Sequence, residues 1–136
     1  MHDGRDGVAE TDTPFARLGG QEGVRALVDD FYDLMDRDPR FARLRELHPP
    51  RLDGSRDKLF WFLCGWLGGP DLYVERLGHP RLRARHLPFA IGTVERDQWL
   101  LCMAEAMAGR GIEGELFDRL LGSLYRTADW MRNQPG

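Results

Sequence analysis

Apolar residues recur at helical spacing in four long segments of the chain. The first segment runs from Gln21 to Arg37 and should end at Asp38-Pro39, because the residue before a proline avoids helical angles. Its apolar positions follow the i, i+3, i+4, i+7 series of a single helical face, and they are Val24, Leu27, Val28, Phe31, Tyr32 and Met35. This pattern predicts a long amphipathic helix.

The second segment begins after Asp53-Gly54-Ser55, where Asp53 or Ser55 can accept hydrogen bonds from the free amides of a helix start. Its apolar face is made of Leu59, Phe62, Leu63, Trp66 and Leu67. Gly68-Gly69-Pro70 should stop this helix, because glycine favours the turn and proline cannot continue the hydrogen-bond ladder.

Two further helices are predicted in the C-terminal third. One begins near Gly92-Thr93, with Glu95 favourable in its first turn, and stops at Gly109-Arg-Gly111; it carries Trp99, Leu100, Met103, Ala104 and Met107. The other spans roughly Glu113 to Arg132 and carries Leu116, Phe117, Leu120, Leu121, Leu124, Tyr125 and Ala128. No stretch alternates polar and apolar residues, so we predict an all-α protein with two pairs of packed helices.

The stretch between Gly68 and Gly92 lacks this regularity. It contains three prolines and interrupts the apolar period, so we expect mostly extended chain with at most a short helix around Arg81 to Leu87. Such a segment is suited to positioning something. Its arginines, Arg81, Arg83 and Arg85, are the densest positive cluster, and a cluster of this kind usually forms a solvated face.

Composition narrows the classes of function. A chain of 136 residues with 42% hydrophobic residues is suited to one domain, which we place at residues 14–136, with a disordered tail at 1–13. The net charge of −3 comes from interspersed charges, so nucleic acid is a poor partner. No apolar run reaches the ~20 residues of a membrane span, and no signal peptide is recognisable, so we expect a cytoplasmic protein. Cys64 and Cys102 should be buried free thiols.

Several motifs together resemble those of the group II truncated haemoglobins, from about Phe15 to the C-terminus. The segments that carry the likeness are Leu18-Gly-Gly20, Phe31-Tyr32, Trp66-Leu-Gly-Gly-Pro-Asp-Leu-Tyr73, Gly78-His-Pro-Arg-Leu-Arg-Ala-Arg-His-Leu-Pro-Phe89 and Glu95-Arg-Asp-Gln-Trp-Leu-Leu-Cys-Met103. The resemblance implies a globin-like, truncated two-over-two α-helical sandwich enclosing one haem b that is held without a covalent link.

The resemblance also implies roles for individual residues. His86 matches the proximal iron ligand, and Tyr32 and Trp99 match residues that face the bound ligand. His48 matches the position at the start of the C–D region, if the residues before it are treated as an insertion. Distal positions of the next helix match Ser55 and Leu59. The remaining cofactor-binding candidates are Phe31, Lys58, Phe62, Leu63, Tyr73, His79, Arg85 and Phe89.

Among the latter, Lys58 and Arg85 match positions that pair with haem propionates, while Tyr73 and His79 could also reach the rim. A cation at a pocket rim neutralises a propionate, in bidentate geometry if it is an arginine, but both cations can equally be ordinary surface charges. The sequence alone does not decide how Tyr73 and His79 are used.

Elementary chemistry agrees with the aromatic and histidine assignments. Pro88 ends the short helix so that the imidazole of His86 projects from a fixed edge. A neutral imidazole can give one nitrogen to iron and donate its other N–H to a carbonyl, which fixes the ring. Tyr32 and Trp99 could be ordinary core aromatics, but in a dry pocket their O–H and N–H, with a third group at His48, would stabilise charge on bound oxygen. Ser55 is short and would leave room for a side channel.

Three functions remain open at this stage. The first is reversible binding of oxygen or another small diatomic ligand, and slow release with fast autoxidation would disfavour simple oxygen transport. The second is a haem enzyme with nitric-oxide dioxygenase or peroxidase-like activity, which would need a separate reductase because the chain has no flavin or nicotinamide motif. The third, a cofactor-free helical module, leaves the segment from Arg83 to Phe89 unexplained. Whether His48 or Tyr32 becomes an internal sixth ligand, and whether the protein is a monomer or a homodimer through Trp130 and Met131, also stay open.

Overall fold

The computed structural model of the chain describes residues 13–135, and within that range no β-strand occurs. The four long helices are present, with bounds close to those expected, so the all-α prediction is confirmed. Along the chain the α-helices are α1 (Pro14–Arg17), α2 (Gly20–Arg37), α3 (Ala42–Glu46), α4 (Asp53–Trp66), α5 (Leu72–Leu77), α6 (Leu82–His86), α7 (Thr93–Gly109) and α8 (Gly114–Trp130). The predicted tail lies outside the described residues, except for Thr13.

The chain divides into two compact units, which are described separately. The first contains residues 13–28 and 53–80. The Thr13 hydroxyl accepts a hydrogen bond from the Ala16 amide (3.1 Å) and so caps α1, whose first residue is a proline. Phe15 N–H then donates to the Leu67 carbonyl (2.9 Å), which ties α1 to the turn that follows α4. Gly68 in that turn has a φ of +97°, which suits glycine, so the predicted stop is confirmed.

The second unit contains residues 29–52 and 81–135. In it α7 packs against α8, and both α3 and the single 3₁₀ turn Pro39–Phe41 contact α7. Its fully buried large side chains are Phe31, Met35, Phe41, Met103 and Met107. Apart from Phe41, these side chains come from the predicted helical faces, and their burial stabilises the unit.

Several short elements differ from the sequence expectation. The expectation of mostly extended chain between Gly68 and Gly92 is wrong for α5, whose six residues are too few to show a helical period. Between Asp38 and Leu47 the chain forms the 3₁₀ turn and α3, where the sequence indicated only an insertion. Because α4 begins at Asp53, Ser55 lies inside its first turn and does not precede the helix as a cap.

The C-terminal residues and the thiols have definite environments. Met131 is buried, so it cannot belong to the exposed apolar area suggested for a dimer, whereas Trp130 is 62% exposed. Cys64 and Cys102 are free and buried, as predicted. Burial raises the pKa of Cys64 to about 11 and that of Cys102 to about 12, so both thiols stay protonated and poorly reactive. Within residues 13–135, none of the helices combines the length and the apolar character that crossing a membrane requires.

Two helical glycines offer a matched test of packing in the first unit. A Cβ atom at Gly23 would lie 1.7 Å from the Leu18 carbonyl oxygen, whereas a Cβ at Gly54 would meet nothing within 4 Å. We therefore expect Gly23→Ala to lower the free energy of unfolding by about 1 to 3 kcal/mol, because the Leu18 backbone must move. Gly54→Ala should raise it by about 0.4 to 1 kcal/mol, because alanine restricts the unfolded chain more than glycine does. Denaturant unfolding of both variants checks this, and a change of the same sign in both would contradict it.

Candidate functional site

His86 is the last residue of α6, and its ring is anchored by its own helix. Its Nδ1 lies 2.6 Å from the carbonyl oxygen of Leu82, four residues earlier. A carbonyl oxygen only accepts, so Nδ1 carries the proton, and in the neutral ring Nε2 keeps its lone pair. The half-buried imidazole therefore has one fixed edge and one edge that can bind a metal ion.

Residues near the C-terminus hold the segment that follows His86. Asn133 donates from Nδ2 to the Phe89 carbonyl (2.8 Å) and to the His86 carbonyl (3.3 Å), while its Oδ1 accepts from the Ile91 amide (3.0 Å). The backbone N–H of Asn133 also donates to the Ile91 carbonyl (2.9 Å). Sequence reasoning missed this clamp, because an isolated asparagine beyond a helix end gives no periodic signal.

Three of the predicted distal residues, Tyr32, His48 and Trp99, come together with the predicted cofactor-binding residue Phe31 in the second unit. The ring centroid of Phe31 lies 5.0 Å from that of Tyr32 and 5.3 Å from that of Trp99. The rings of Tyr32 and His48 meet edge to face, with their centroids 5.7 Å apart. Phe31 and Tyr32 are buried and Trp99 is half-buried. Within residues 13–135 the indole N–H of Trp99 has no hydrogen-bond acceptor, so it can donate to a ligand.

His48 repeats the geometry of His86. Its Nδ1 lies 2.9 Å from the carbonyl oxygen of Leu44, again four residues earlier. Burial lowers the pKa of His48, the Leu44 hydrogen bond opposes that shift, and charges on Arg45 and His86 lower the pKa further. The ring is therefore mainly neutral at pH 7, with a lone pair at Nε2. This geometry favours His48 as an acceptor and not as the third donor that the sequence suggested.

A polar network joins the start of α7 to α3. Glu95, 7% exposed, accepts from the Gly92 amide at Oε1 (2.8 Å) and from Arg43 at Oε2, at 3.1 Å from Nε and 3.0 Å from Nη2. One turn along, Gln98 Oε1 accepts from the Leu44 amide (3.0 Å). The helical position of Glu95 was predicted, but its burial and its partner Arg43 were not, because the two lie 52 residues apart.

The other predicted residues are distributed over both units. In the second unit, Arg85 and Phe89 are exposed on and after α6. In the first unit, four of the predicted residues lie on one face of α4. Of these four, Leu63 is buried, and Ser55, Leu59 and Phe62 are half-buried. Also in the first unit are the exposed Lys58, the buried Tyr73 on α5, and the exposed His79 in the bend before Pro80.

Comparison with known proteins gives consistent matches over nearly the whole chain. Residues 13–133 match the family model of the bacterial-like globins. A group 2 truncated haemoglobin from Bacillus subtilis, YjbI, is 45% identical over 115 residues, which is 85% of this chain and 85% of that protein.

Solved structures agree with the sequence matches. A group II 2-on-2 haemoglobin from Agrobacterium tumefaciens superposes with a TM-score of 0.88 at 43% identity, covering 98% of this chain and 99% of that one. A truncated oxygen-avid haemoglobin from Bacillus subtilis superposes with a TM-score of 0.82 at 43% identity, covering 90% of this chain and all (100%) of that one.

The buried carboxylate of Glu95 makes stability depend on acid. Burial alone would raise its pKa, but hydrogen bonds from the Gly92 amide and its own amide, with the charge of Arg43, outweigh burial and lower the pKa below the ordinary 4.5. A carboxyl with a lowered folded pKa stabilises the fold above its unfolded pKa, and that contribution disappears as the pH falls through the folded value. We expect the free energy of unfolding to fall below about pH 4.5, and to fall less steeply in Glu95→Gln.

Denaturant unfolding between pH 3 and pH 7 measures this slope. Glu115→Gln, which changes an exposed carboxylate in the first turn of α8, is the matched control and should keep the wild-type slope. Equal slopes in Glu95→Gln and wild type would contradict the assignment.

Proposed function

Because this chain belongs to the bacterial-like globin family, among the group II truncated haemoglobins, we propose that the protein holds a b-type haem through His86. We further propose that the iron of this haem binds dioxygen reversibly. The chain is a haem-binding globin with the truncated 2-on-2 globin fold of its structural relatives.

The observation that carries the proposal is the hydrogen bond between His86 Nδ1 and the Leu82 carbonyl oxygen at 2.6 Å. It sets the tautomer of the ring, holds the ring against rotation and increases the electron density at Nε2, which is what a proximal imidazole requires. Asn133 holds the following backbone at the His86, Phe89 and Ile91 positions, so the imidazole is supported from both sides. The donor set of the chain therefore fits a haem.

A bound haem would supply an iron atom with an open position for a diatomic ligand. The chain's own contribution on the ligand side is the N–H of Trp99 and the O–H of Tyr32, whose rings both pack against Phe31. Donors held in place in a water-poor site stabilise negative charge on a ligand more strongly than they would in water. The solved Bacillus subtilis relative is described as oxygen-avid, which agrees with this arrangement.

Replacement of His86 tests the proximal assignment. We expect purified wild-type protein to show a Soret band in the ferric and in the dithionite-reduced state. In His86→Ala that band should be lost or strongly altered, because no anchored imidazole remains, and added free imidazole should partly restore it by occupying the space left. Ultraviolet–visible spectra with a haem titration provide the measurement.

His2→Ala is the control for this experiment, since it removes a histidine of the predicted tail and should leave the spectrum unchanged. A wild-type Soret band in His86→Ala would overturn the proximal assignment. Absence of the band in wild-type protein after haem addition would overturn the proposed function itself.

The donor roles predict the rate of oxygen release. Each hydrogen bond to a charged acceptor contributes about 1.5 to 3 kcal/mol, so Trp99→Phe or Tyr32→Phe should raise the oxygen dissociation rate about ten- to hundredfold if the loss is fully expressed in release. Stopped-flow mixing of the oxygen complex with dithionite measures this rate.

Matched controls make the same chemical changes away from the aromatic cluster. Trp61→Phe and Tyr125→Phe alter side chains that stack on Arg76 and Arg96, and both should release oxygen at the wild-type rate. Unchanged release in both Trp99→Phe and Tyr32→Phe would remove these residues from the donor role.

A further inference from the structure

The backbone of Leu44 makes two hydrogen bonds, one through its amide and one through its carbonyl, and together they connect α7 to His48. Helix α3 has only five residues, and Phe41, at its N-cap, supplies no side-chain acceptor. The amide of Leu44 belongs to the first turn and therefore has no partner inside the helix. Gln98 Oε1, on α7, accepts from that amide at 3.0 Å and so performs the capping role from a neighbouring helix.

The opposite side of the same residue holds the imidazole. The Leu44 carbonyl oxygen accepts from His48 Nδ1 at 2.9 Å, and it also accepts from the Leu47 amide at 3.1 Å. Acceptance of the Leu44 amide hydrogen by Gln98 fixes the backbone of Leu44 against α7, and with it the carbonyl oxygen four residues before His48. The ring orientation and the proton position of His48 therefore depend on a side chain 50 residues further along the chain.

The adjacent ion pair supports α3 without making this link. Glu95 binds Arg43, whose side chain is largely exposed, and the Gly92 amide at the start of α7. These side-chain bonds keep α3 beside α7 but involve neither the amide nor the carbonyl of Leu44. Loss of the Gln98 hydrogen bond should therefore loosen the backbone of Leu44 while α3 stays attached.

We infer that Gln98 is a positioning residue that fixes His48 as the Nδ1–H tautomer, with the lone pair of Nε2 on the ring edge that is not bound to Leu44. The inference rests on the proposed function in one respect, which is that His48 borders the ligand site beside Tyr32. In this tautomer His48 accepts a hydrogen bond, so it favours a ligand or a neighbouring hydroxyl that brings a proton. Trp99, the next residue on α7, supplies the complementary donor.

The test is the tautomer of His48 in the full-length, haem-reconstituted protein, read from ¹⁵N chemical shifts of labelled imidazole in the diamagnetic ferrous–CO form. Wild-type protein should show the proton of His48 on Nδ1. In Gln98→Leu, which keeps the size but removes the acceptor, the tautomer ratio should shift towards Nε2–H about five- to tenfold, as expected for the loss of one neutral hydrogen bond. Gln98→Glu retains an oxygen at the same distance from the helix, so this variant should keep the wild-type tautomer ratio.

Asp97→Ala is the matched control, because it removes an exposed polar side chain from the adjacent position of α7. If Gln98→Leu folds poorly, Gln98→Asn replaces it, since the shorter side chain withdraws the carbonyl while staying polar. A wild-type tautomer ratio in the variant that folds, or an equal shift in Asp97→Ala, would overturn the inference. The Soret band separates failure of the haem function from failure of the role of Gln98. Absence of the band in wild-type protein refutes the haem function. The His48 tautomer can still be measured in haem-free protein, so the role of Gln98 is tested in either case.

Discussion

An imidazole N–H that donates to the carbonyl four residues earlier fixes the orientation of two histidines in the second unit. His86, the last residue of α6, makes this bond to Leu82, and His48, two residues beyond the end of α3, makes it to Leu44. The Leu44 carbonyl also accepts from the Leu47 amide, so the imidazole N–H is a further donor to that oxygen, and the bond fixes the orientation of the ring. Both histidines, when neutral, therefore present Nε2 with a lone pair. In the proposed function the lone pair of His86 binds iron, and that of His48 accepts a hydrogen bond.

The long helices could be predicted because their apolar periods are long enough to exceed chance. The bounds of α7 were anticipated almost to the residue, because Gly92 and Glu95 mark its start and Gly109 its end. α3 and α5 could not be predicted in the same way, since five or six residues show less than two turns of any pattern. Their stability comes from contacts distant in sequence, and single-chain periodicity contains no information on such contacts.

The same distinction applies to the site. His86, Tyr32 and Trp99 stand in motifs that the sequence displays, and the structure brings Tyr32 and Trp99 together around Phe31. Gln98 and Asn133 were missed, because their importance lies in the backbone groups they bind and not in their own chemistry. A glutamine on a helix face or an asparagine after a helix resembles any solvent-exposed residue until the partner is known. The motif residues could therefore be named from the sequence as candidates for the site, and the residues that hold them in place could not.

The backbone before His86 shows why such supporting residues are needed. Arg81, which precedes α6, has a φ of +46°, and a left-handed conformation costs a non-glycine residue about 1 to 2 kcal/mol. A strained residue persists only where its surroundings determine it from several directions. Here the Arg85 amide bonds the Arg81 carbonyl (3.0 Å), and Arg83 stacks over Trp130 and donates to its carbonyl. Asn133 holds the C-terminal end of α6 through the carbonyls of His86 and Phe89, so the C-terminal segment anchors α6 at both ends. The direction of the His86 imidazole is therefore set by residues that have no chemical role of their own in the site.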